Sequence, residues 1–463
     1  MANPPRGSPA LTEKNSPSPH PSGDASETPD APPVPLASFG WLLAERIARA
    51  ASAVAVTGMV ARHLGPTEFG LLNLAASATT ILLPLASLSA EAVVIREIVR
   101  QPEREREIIR TVLALRAMTG SVLLGSTMAS MLLPPGGREH AVLAGLMGLA
   151  LIWQAAEAPE TAFRRHQRAR FTAVARFGAF VAASAAKLAL IAAEAGTGAF
   201  ACAYAAEGLF YGAALLARYH AAGRNLPPAR VNPGMAGRIL RECVGPALAA
   251  TIAGLALKLD QLLVMIQLGA DAAGKYAAAC RFTELHFFLS ATLGIVLYPR
   301  LAECHGRSGT EYTNRLERHF ELMLLAGWGS GLLVALTAAA GLPLLFGADY
   351  AEAVAVVWIQ SGGALLLFSG VARSHHALLT GAGWTLLTSA LATLAAQTAL
   401  AWWLIPTHGL TGAALASGLA AIVGGWFTTA ILPPLRPAFL HQTRAFAILL
   451  RPWRWRAALR LAL

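Results

Sequence analysis

Charge is scarce in this sequence. Of 463 residues only 14% are Asp, Glu, Lys or Arg, against 55% hydrophobic, and the mean hydropathy is +0.51. A soluble domain carries roughly 25% charged residues, so this chain lacks the polar surface an ordinary globular protein needs. Cysteine is nearly absent as well. Cys202, Cys243, Cys280 and Cys304 lie far apart with no C-x-x-C, which argues against a zinc site or a disulfide framework and leaves four small core residues. No Walker A, H-E-x-x-H or G-x-S-x-G pattern occurs, so the common nucleotide, metalloprotease and hydrolase signatures are missing. Acidic residues are outnumbered, and the net charge is +11. The arginines sit between apolar blocks rather than on a stripe interleaved with aromatics, and nucleic acid is therefore not the expected partner.

What the chain does have is apolar sequence from about residue 36 to residue 432, in blocks such as 77–88, 141–156, 329–345 and 353–368. About 20 such residues cross a bilayer as a helix, and lipid offers the backbone no other partner than itself. Punctuation by Gly, Pro and charge gives helices near 37–61, 70–93, 109–133, 140–160, 171–193 and 197–218, then 239–268, 274–299, 319–345, 352–373, 383–405 and 410–432. The fold class is thus an all-α polytopic membrane protein with about twelve transmembrane helices. The longest inner connection divides them six plus six, an arrangement suited to two six-helix bundles. The organisation expected is a disordered tail over 1–35, a first bundle over 36–219, a linker over 220–238, a second bundle over 239–433 and a basic interfacial tail over 434–463.

Orientation follows from the basic residues. One set of connections holds Arg96, Arg100, Arg104, Arg106 and Arg110, then Arg164, Arg165, Arg168 and Arg170, then Arg218, Arg224, Arg230, Arg238 and Arg241, then Arg300, Arg307, Arg315 and Arg318. The opposite set has little beyond Arg62, Arg138 and Lys275. The positive-inside rule makes the first set, and with it both termini, cytoplasmic. The outer connections are short, which disfavours an enzyme. No cofactor or metal is expected. Arg373, His375 and His376 read as ordinary flanking residues at an inner helix end.

Particular residues carry a family resemblance. Trp41, Glu45, Arg46 and Arg49, followed by Arg62-His63-Leu64-Gly65-Pro66-Thr67-Glu68-Phe69-Gly70, open the pattern, and Val94-Ile95-Arg96-Glu97 continue it. Lys258, Asp260 and Gln261 come next, then Gly274, Tyr276, Arg281 and Glu284, Tyr298-Pro299, Phe346-Gly347, and Pro406 with Gly409 and Gly412. In that order they resemble bacterial polysaccharide-unit flippases of the O-antigen transporter type, in the superfamily of multidrug extruders and the lipid II flippase. One departure is Ser89-Ala90-Glu91, where the family pattern commonly has a small Leu-Gly-Leu/Asp loop. The resemblance implies two six-helix bundles, a multi-pass place in the bacterial inner membrane, and an undecaprenyl-pyrophosphate-linked oligosaccharide as cargo. Membrane lipid, a polysaccharide polymerase and glycosyltransferases are the implied partners.

A charge within the hydrocarbon is costly enough to mark function. Arg49, Lys187 and Lys258 are the candidate substrate contacts, with Arg49 first because a guanidinium forks onto phosphate oxygens. Glu45, one helical turn before Arg49, can instead neutralise it, and both readings stand. Glu45, Glu207 and Glu284 are candidate coupling or gating carboxylates, with Tyr204, Glu207 and Tyr211 on one helical face. Asp260 and Arg281 are expected to form a structural ion pair across the seventh and eighth helices. Two other classes remain open: a cation-coupled drug or metabolite extruder, and a non-transporting membrane scaffold.

Overall fold

The computed structural model describes residues 36–132, 137–165, 169–221, 232–305, 309–451, 453 and 455, with side chains from 49 onward except at 164, 165 and 169. Contacts divide the chain into Met1–Glu45 and Arg46–Leu463, and everything below concerns the second unit. The α-helices are α1 (Leu36–Ala86), α2 (Glu91–Arg100), α3 (Glu105–Met131), α4 (Gly137–Trp153), α5 (Glu160–Arg165), α6 (Ala169–Ala192) and α7 (Thr197–Ala221). There follow α8 (Pro233–His305), α9 (Gly309–Phe346), α10 (Ala353–Leu379), α11 (Trp384–Ile422), α12 (Thr428–Ile431) and α13 (Arg436–Ala445).

Among the described residues, nine helical stretches are long and apolar enough to cross a membrane. Three of them are double. α1 breaks at Gly65 (φ 76°), α8 at Gly269 (φ 86°) and α11 at Gly409 (φ 59°). Positive φ suits glycine because it has no Cβ, and one such residue turns the chain back on itself. Side-chain pairs across α8 (Asp260 with Tyr276, Lys258 with Glu284) and α11 (Gln397 with Ser417, Ser389 with Thr428) show the two arms antiparallel. Nine stretches therefore make twelve crossings, as expected. Val122, Ile266, Ile295 and Leu333 are each more than 60% exposed, which only lipid makes tolerable.

Several boundaries differ from the sequence reading. The helix expected over 70–93 ends at Ala86, and a separate amphipathic α2 follows. Leu88 and Ser89 take positive φ (59° and 42°), a conformation that ends a helix. The helix expected from 319 starts at Gly309, so Arg315 and Arg318 are helical. The twelfth span contains a π-helical turn over Val423–Phe427. The stretch expected as an interfacial tail is helical as α13 and packs on α9 and α10. Its stripe of Ala438, Gln442 and Ala445 is fully buried, and Gln442 donates to Ser369 Oγ at 2.9 Å. Met1–Pro35, Arg224, Arg230, Arg454, Arg456 and Arg460 lie outside the described residues.

Packing sorts the spans. α3, α4, α6 and α7 pack on one another, as do α8, α9, α10 and α11. The groups meet at the Gly65–Gly269 end, where a methyl group on Gly70 would collide with the Ala270 carbonyl and one on Gly274 with that of Pro66. Here the missing side chain buys close backbone approach rather than a turn. Around this contact the Phe69 ring packs edge-on against Phe346 and Tyr350, and the Tyr350 hydroxyl donates to the Ala61 carbonyl at 2.9 Å. At the opposite end, which carries the arginines, the start of α8 does the joining. Arg96 pairs with Glu242, Asn232 donates to Glu107 at 3.0 Å, and Met235, Ile239 and Cys243 enter the core of the first group. Among the described residues, α9 and α10 share no extensive packing with α2–α7. The groups are thus closed at the glycine end and joined through one helix at the other.

Enlarging the glycine contact should prise that end apart. In a background with the four cysteines replaced by alanine, Ala61→Cys, whose position is fully buried, should react with a polar maleimide at least about tenfold faster once Gly70→Leu is added. An unchanged rate would show that the two backbones need not touch.

Candidate functional site: a charged cluster between the two helix groups

Polar side chains from both groups meet deep in the spans. Arg281 lies twelve residues past Gly269 and Lys258 eleven before it, about 18 and 16 Å from the turn at 1.5 Å per residue. That is close to the middle of a hydrocarbon core about 30 Å thick. Glu284 accepts from both: Lys258 Nζ at 2.7 Å and Arg281 Nη1 at 3.0 Å. Arg281 and Glu284 share a helical face at i, i+3, which makes the pair local.

The other guanidinium arm of Arg281 crosses to α1 and donates to Asn73 Oδ1 at 3.1 Å. Asn73 Nδ2 donates to Gln261 Oε1 at 2.9 Å, and Ser77 Oγ reaches the same oxygen at 3.3 Å. These three residues sew α1 to α8. The Nε of Arg281 is buried and has no hydrogen-bond partner.

Facing this set are α6 and α7. Lys187 is 5% exposed; its Nζ lies 3.7 Å from Glu207 and 3.7 Å from the centre of the Tyr204 ring. A cation so placed gains from the ring's quadrupole as well as from the carboxylate. Tyr204 and Lys187 both lie within the electrostatic reach of Arg281. Lys187 and Glu207, read separately from the sequence, are therefore one unit, and so are Lys258 and Glu284.

Asp260 stands apart. Its oxygens accept from the Tyr276 hydroxyl at 2.8 Å, the Gln261 amide at 2.9 Å and Ser417 Oγ at 3.3 Å, all within the second group. The expected Asp260–Arg281 ion pair is not the arrangement found. Asp260 is saturated by a phenol, an amide and a hydroxyl, while Arg281 pairs with Glu284. The reason is register: the eighth span begins directly after Gly269, not near residue 274, and this carries Arg281 deeper than Asp260.

Arg49 is half-buried on α1, and the side chain of Glu45 lies outside the described residues. Arg373, read as a flanking residue, is instead 8% exposed; its Nη1 donates to Ser389, Thr428 and the Gly424 carbonyl at 2.8–3.0 Å. The π-helical turn frees that carbonyl, and Arg373 ties α10 to both arms of the last hairpin. His375 bonds His319 and His376 bonds Tyr312, so the adjacent histidines have different partners. No group of metal ligands occurs among the described residues.

The family model described as polysaccharide biosynthesis protein matches residues 37–305, which includes every residue of the central cluster. The chain belongs to that family. No curated protein matches it. Solved structures share its fold. The lipid II flippase MurJ, in an inward closed conformation, superposes with TM-score 0.65 at 10% identity, covering 89% of this chain and 92% of that one. An inward-facing multidrug resistance MATE family transporter of the MOP superfamily gives 0.60 at 14%, covering 87% and 96%. A MOP superfamily transporter from Pyrococcus furiosus Vc1 (DSM3638), whose binding pocket has reverse polarity, gives 0.54 at 14%, also covering 87% and 96%. At such identities the likeness is one of fold, and this member of the polysaccharide biosynthesis family has the all-α polytopic fold of those transporters.

A double-mutant cycle checks the new pairing. Arg281→Met and Glu284→Gln should couple by about 1–3 kcal/mol in thermal or denaturant unfolding in detergent, because one partner left alone in the span costs more than both removed. Arg281→Met with Asp260→Asn should be additive within about 0.5 kcal/mol. Strong Asp260–Arg281 coupling would restore the pairing read from the sequence.

Proposed function

We propose that this chain is an alternating-access flippase that carries a polyprenyl-pyrophosphate-linked oligosaccharide from the inner to the outer leaflet of the bacterial inner membrane, for surface polysaccharide assembly. The observation that carries the reading is the charge of the central cluster. Among the described residues Lys187 pairs with Glu207, while Lys258 and Arg281 share Glu284, so three cations are ion-paired with two carboxylates; nearby Asp260 is instead held by Tyr276, Gln261 and Ser417. A pyrophosphate is the kind of group that such cations hold, and a guanidinium offers paired donors for phosphate oxygens. The unpartnered Nε of Arg281 is a donor waiting for an acceptor. A bare diphosphate head cannot cross hydrocarbon unaided; here it sheds that cost in a wet, cationic site while the prenyl tail stays in lipid.

Transport follows from the two ends. The arginine-rich end is cytoplasmic by the positive-inside rule, and with an even number of crossings so are both termini. The halves 36–219 and 239–433 rock about the central cluster, and the glycine-to-glycine contact closes the outer face while the inner face loads. Opening outward must break the Asn73–Arg281 and Asn73–Gln261 bonds. Phosphate then replaces Asn73 and Glu284 on Arg281, and the freed Glu284 stays on Lys258. Arg49 supports the same head from α1. Glu207 and Glu284 serve as gating carboxylates, since Glu284 must release Arg281 and Glu207 must release Lys187 for these cations to meet the cargo. A cation extruder fits less well, because both carboxylates are already satisfied by lysines. Polymerase and glycosyltransferases act before and after this step.

Arg281→Ala and Lys187→Ala should each cut surface polysaccharide at least about tenfold, with lipid-linked oligosaccharide accumulating on the inner leaflet at matched expression. Arg281→Lys should keep partial export, because it retains charge and loses the fork. Arg49→Ala should show a similar though smaller defect. Normal export by well-expressed Arg281→Ala would exclude it as the phosphate contact. Cysteine labelling should place Arg104 inside and Asp271 outside.

A further inference from the structure

A polar cavity of about 360 Å³ lies within the first helix group, lined by the Ser87–Ala90 connection and the start of α2, by α3, by the turn after α4, and by α5 and α6. This is near the smaller end of the range for small-molecule sites, about 300–1,000 Å³. Its walls are built. Arg116 is 5% exposed and is held by Nε donating to the Ser87 carbonyl at 3.0 Å; Thr119 donates to the Ala86 carbonyl at 3.0 Å. Leu88 and Ser89 adopt positive φ to present that carbonyl. Across the cavity Arg176 donates to both oxygens of Glu160 at 3.1–3.2 Å and to the Tyr211 hydroxyl at 3.1 Å, and lies 4.3 Å from the Tyr211 ring centre. Gln154 donates to Glu157 at 3.3 Å, and both line the space.

The mix of signs narrows the ligand. An anion meets Glu91, Glu157 and Glu160, and a cation meets Arg116 and Arg176. A neutral polyol meets neither obstacle: its hydroxyls donate to carboxylates and the Gln154 oxygen and accept from guanidinium and amide N–H.

One helix borders both the cavity and the central cluster. α7 carries Tyr204, Glu207 and Tyr211 on one face. Tyr204 lies under Lys187 in the central cluster, and Tyr211 lies under Arg176 at the cavity. Seven residues separate the two tyrosines, about 10 Å along the helix. The same cation–aromatic–carboxylate unit is thus repeated along one face of α7, first at the phosphate position and then toward the arginine-rich end.

We infer that this cavity is a glycosyl subsite, which receives a sugar ring of the cargo while the central cluster holds its pyrophosphate. The inference rests on the flippase reading. Ser89 and Glu91 also line the sugar position. Loss of one charged acceptor should weaken sugar binding by roughly ten- to a hundredfold.

The test compares two probes on purified full-length protein in nanodiscs: lipid-linked oligosaccharide extracted from the native cells, and sugar-free polyprenyl pyrophosphate. Wild type should bind the first at least about tenfold more tightly. Glu157→Gln should abolish most of that preference, and Gln154→Ala, which leaves every charge in place, should reduce it. Both variants should keep wild-type affinity for the sugar-free lipid, which also reports an intact fold. Equal wild-type affinity for the two probes, or equal proportional loss on both in Gln154→Ala, would overturn the subsite and leave the flippase reading standing. Wild type that binds neither probe would overturn both.

Discussion

A backbone surrounded by lipid must satisfy its own hydrogen bonds, and the rest of this molecule follows from that constraint. It forces the spans into helices that are apolar nearly all round, so a charged side chain must turn inward, to the seam between helix groups or to a polar pocket within one. The seam is where Lys187, Glu207, Lys258, Arg281 and Glu284 are found. Arg116 and Asp260 find their partners inside a single group, and so does Arg373. Arg373 has no carboxylate, but it borrows a carbonyl that the π-helical turn releases and two hydroxyls from neighbouring spans.

Glycine does two separate jobs in this framework. At 65, 269 and 409 it permits a backbone angle, and open space surrounds the missing side chain. At 70 and 274 the backbone is ordinary helix, and the missing side chain lets two peptide planes touch. The first pair of hairpins uses both devices at the same spacing, Gly65 with Gly70 and Gly269 with Gly274. The two halves thus meet through equivalent positions.

Span number, helical class and the concentration of arginine at one end were all legible in the sequence, since they depend on composition over windows of about 20 residues. Span ends were less so, because a single glycine can replace an entire loop and nothing in hydropathy distinguishes the two. That uncertainty misplaced Arg281 by about one turn and led to the wrong partner for Asp260. The candidate charges themselves were legible because each is rare in its surroundings. Their pairing was not, since Lys187 with Glu207 is a tertiary fact that spacing along one helix does not contain. Asn73, Ser77 and Gln261 carried a weaker signal, isolated polar residues in an apolar run, and gained meaning only once α1 and α8 stood side by side.

The one-residue turns also bear on how this chain can change over time. A connection of several residues absorbs an insertion or deletion by bulging into solvent, whereas a turn made by Gly65 or Gly269 has no slack, and one added residue rotates the following helix by about 100°. Every charge beyond it then points at the wrong neighbour. Length variation among descendants of this sequence is therefore disfavoured at the one-residue turns, where divergence proceeds by substitution, and is left to the longer connections such as those between α6 and α7 and between α9 and α10.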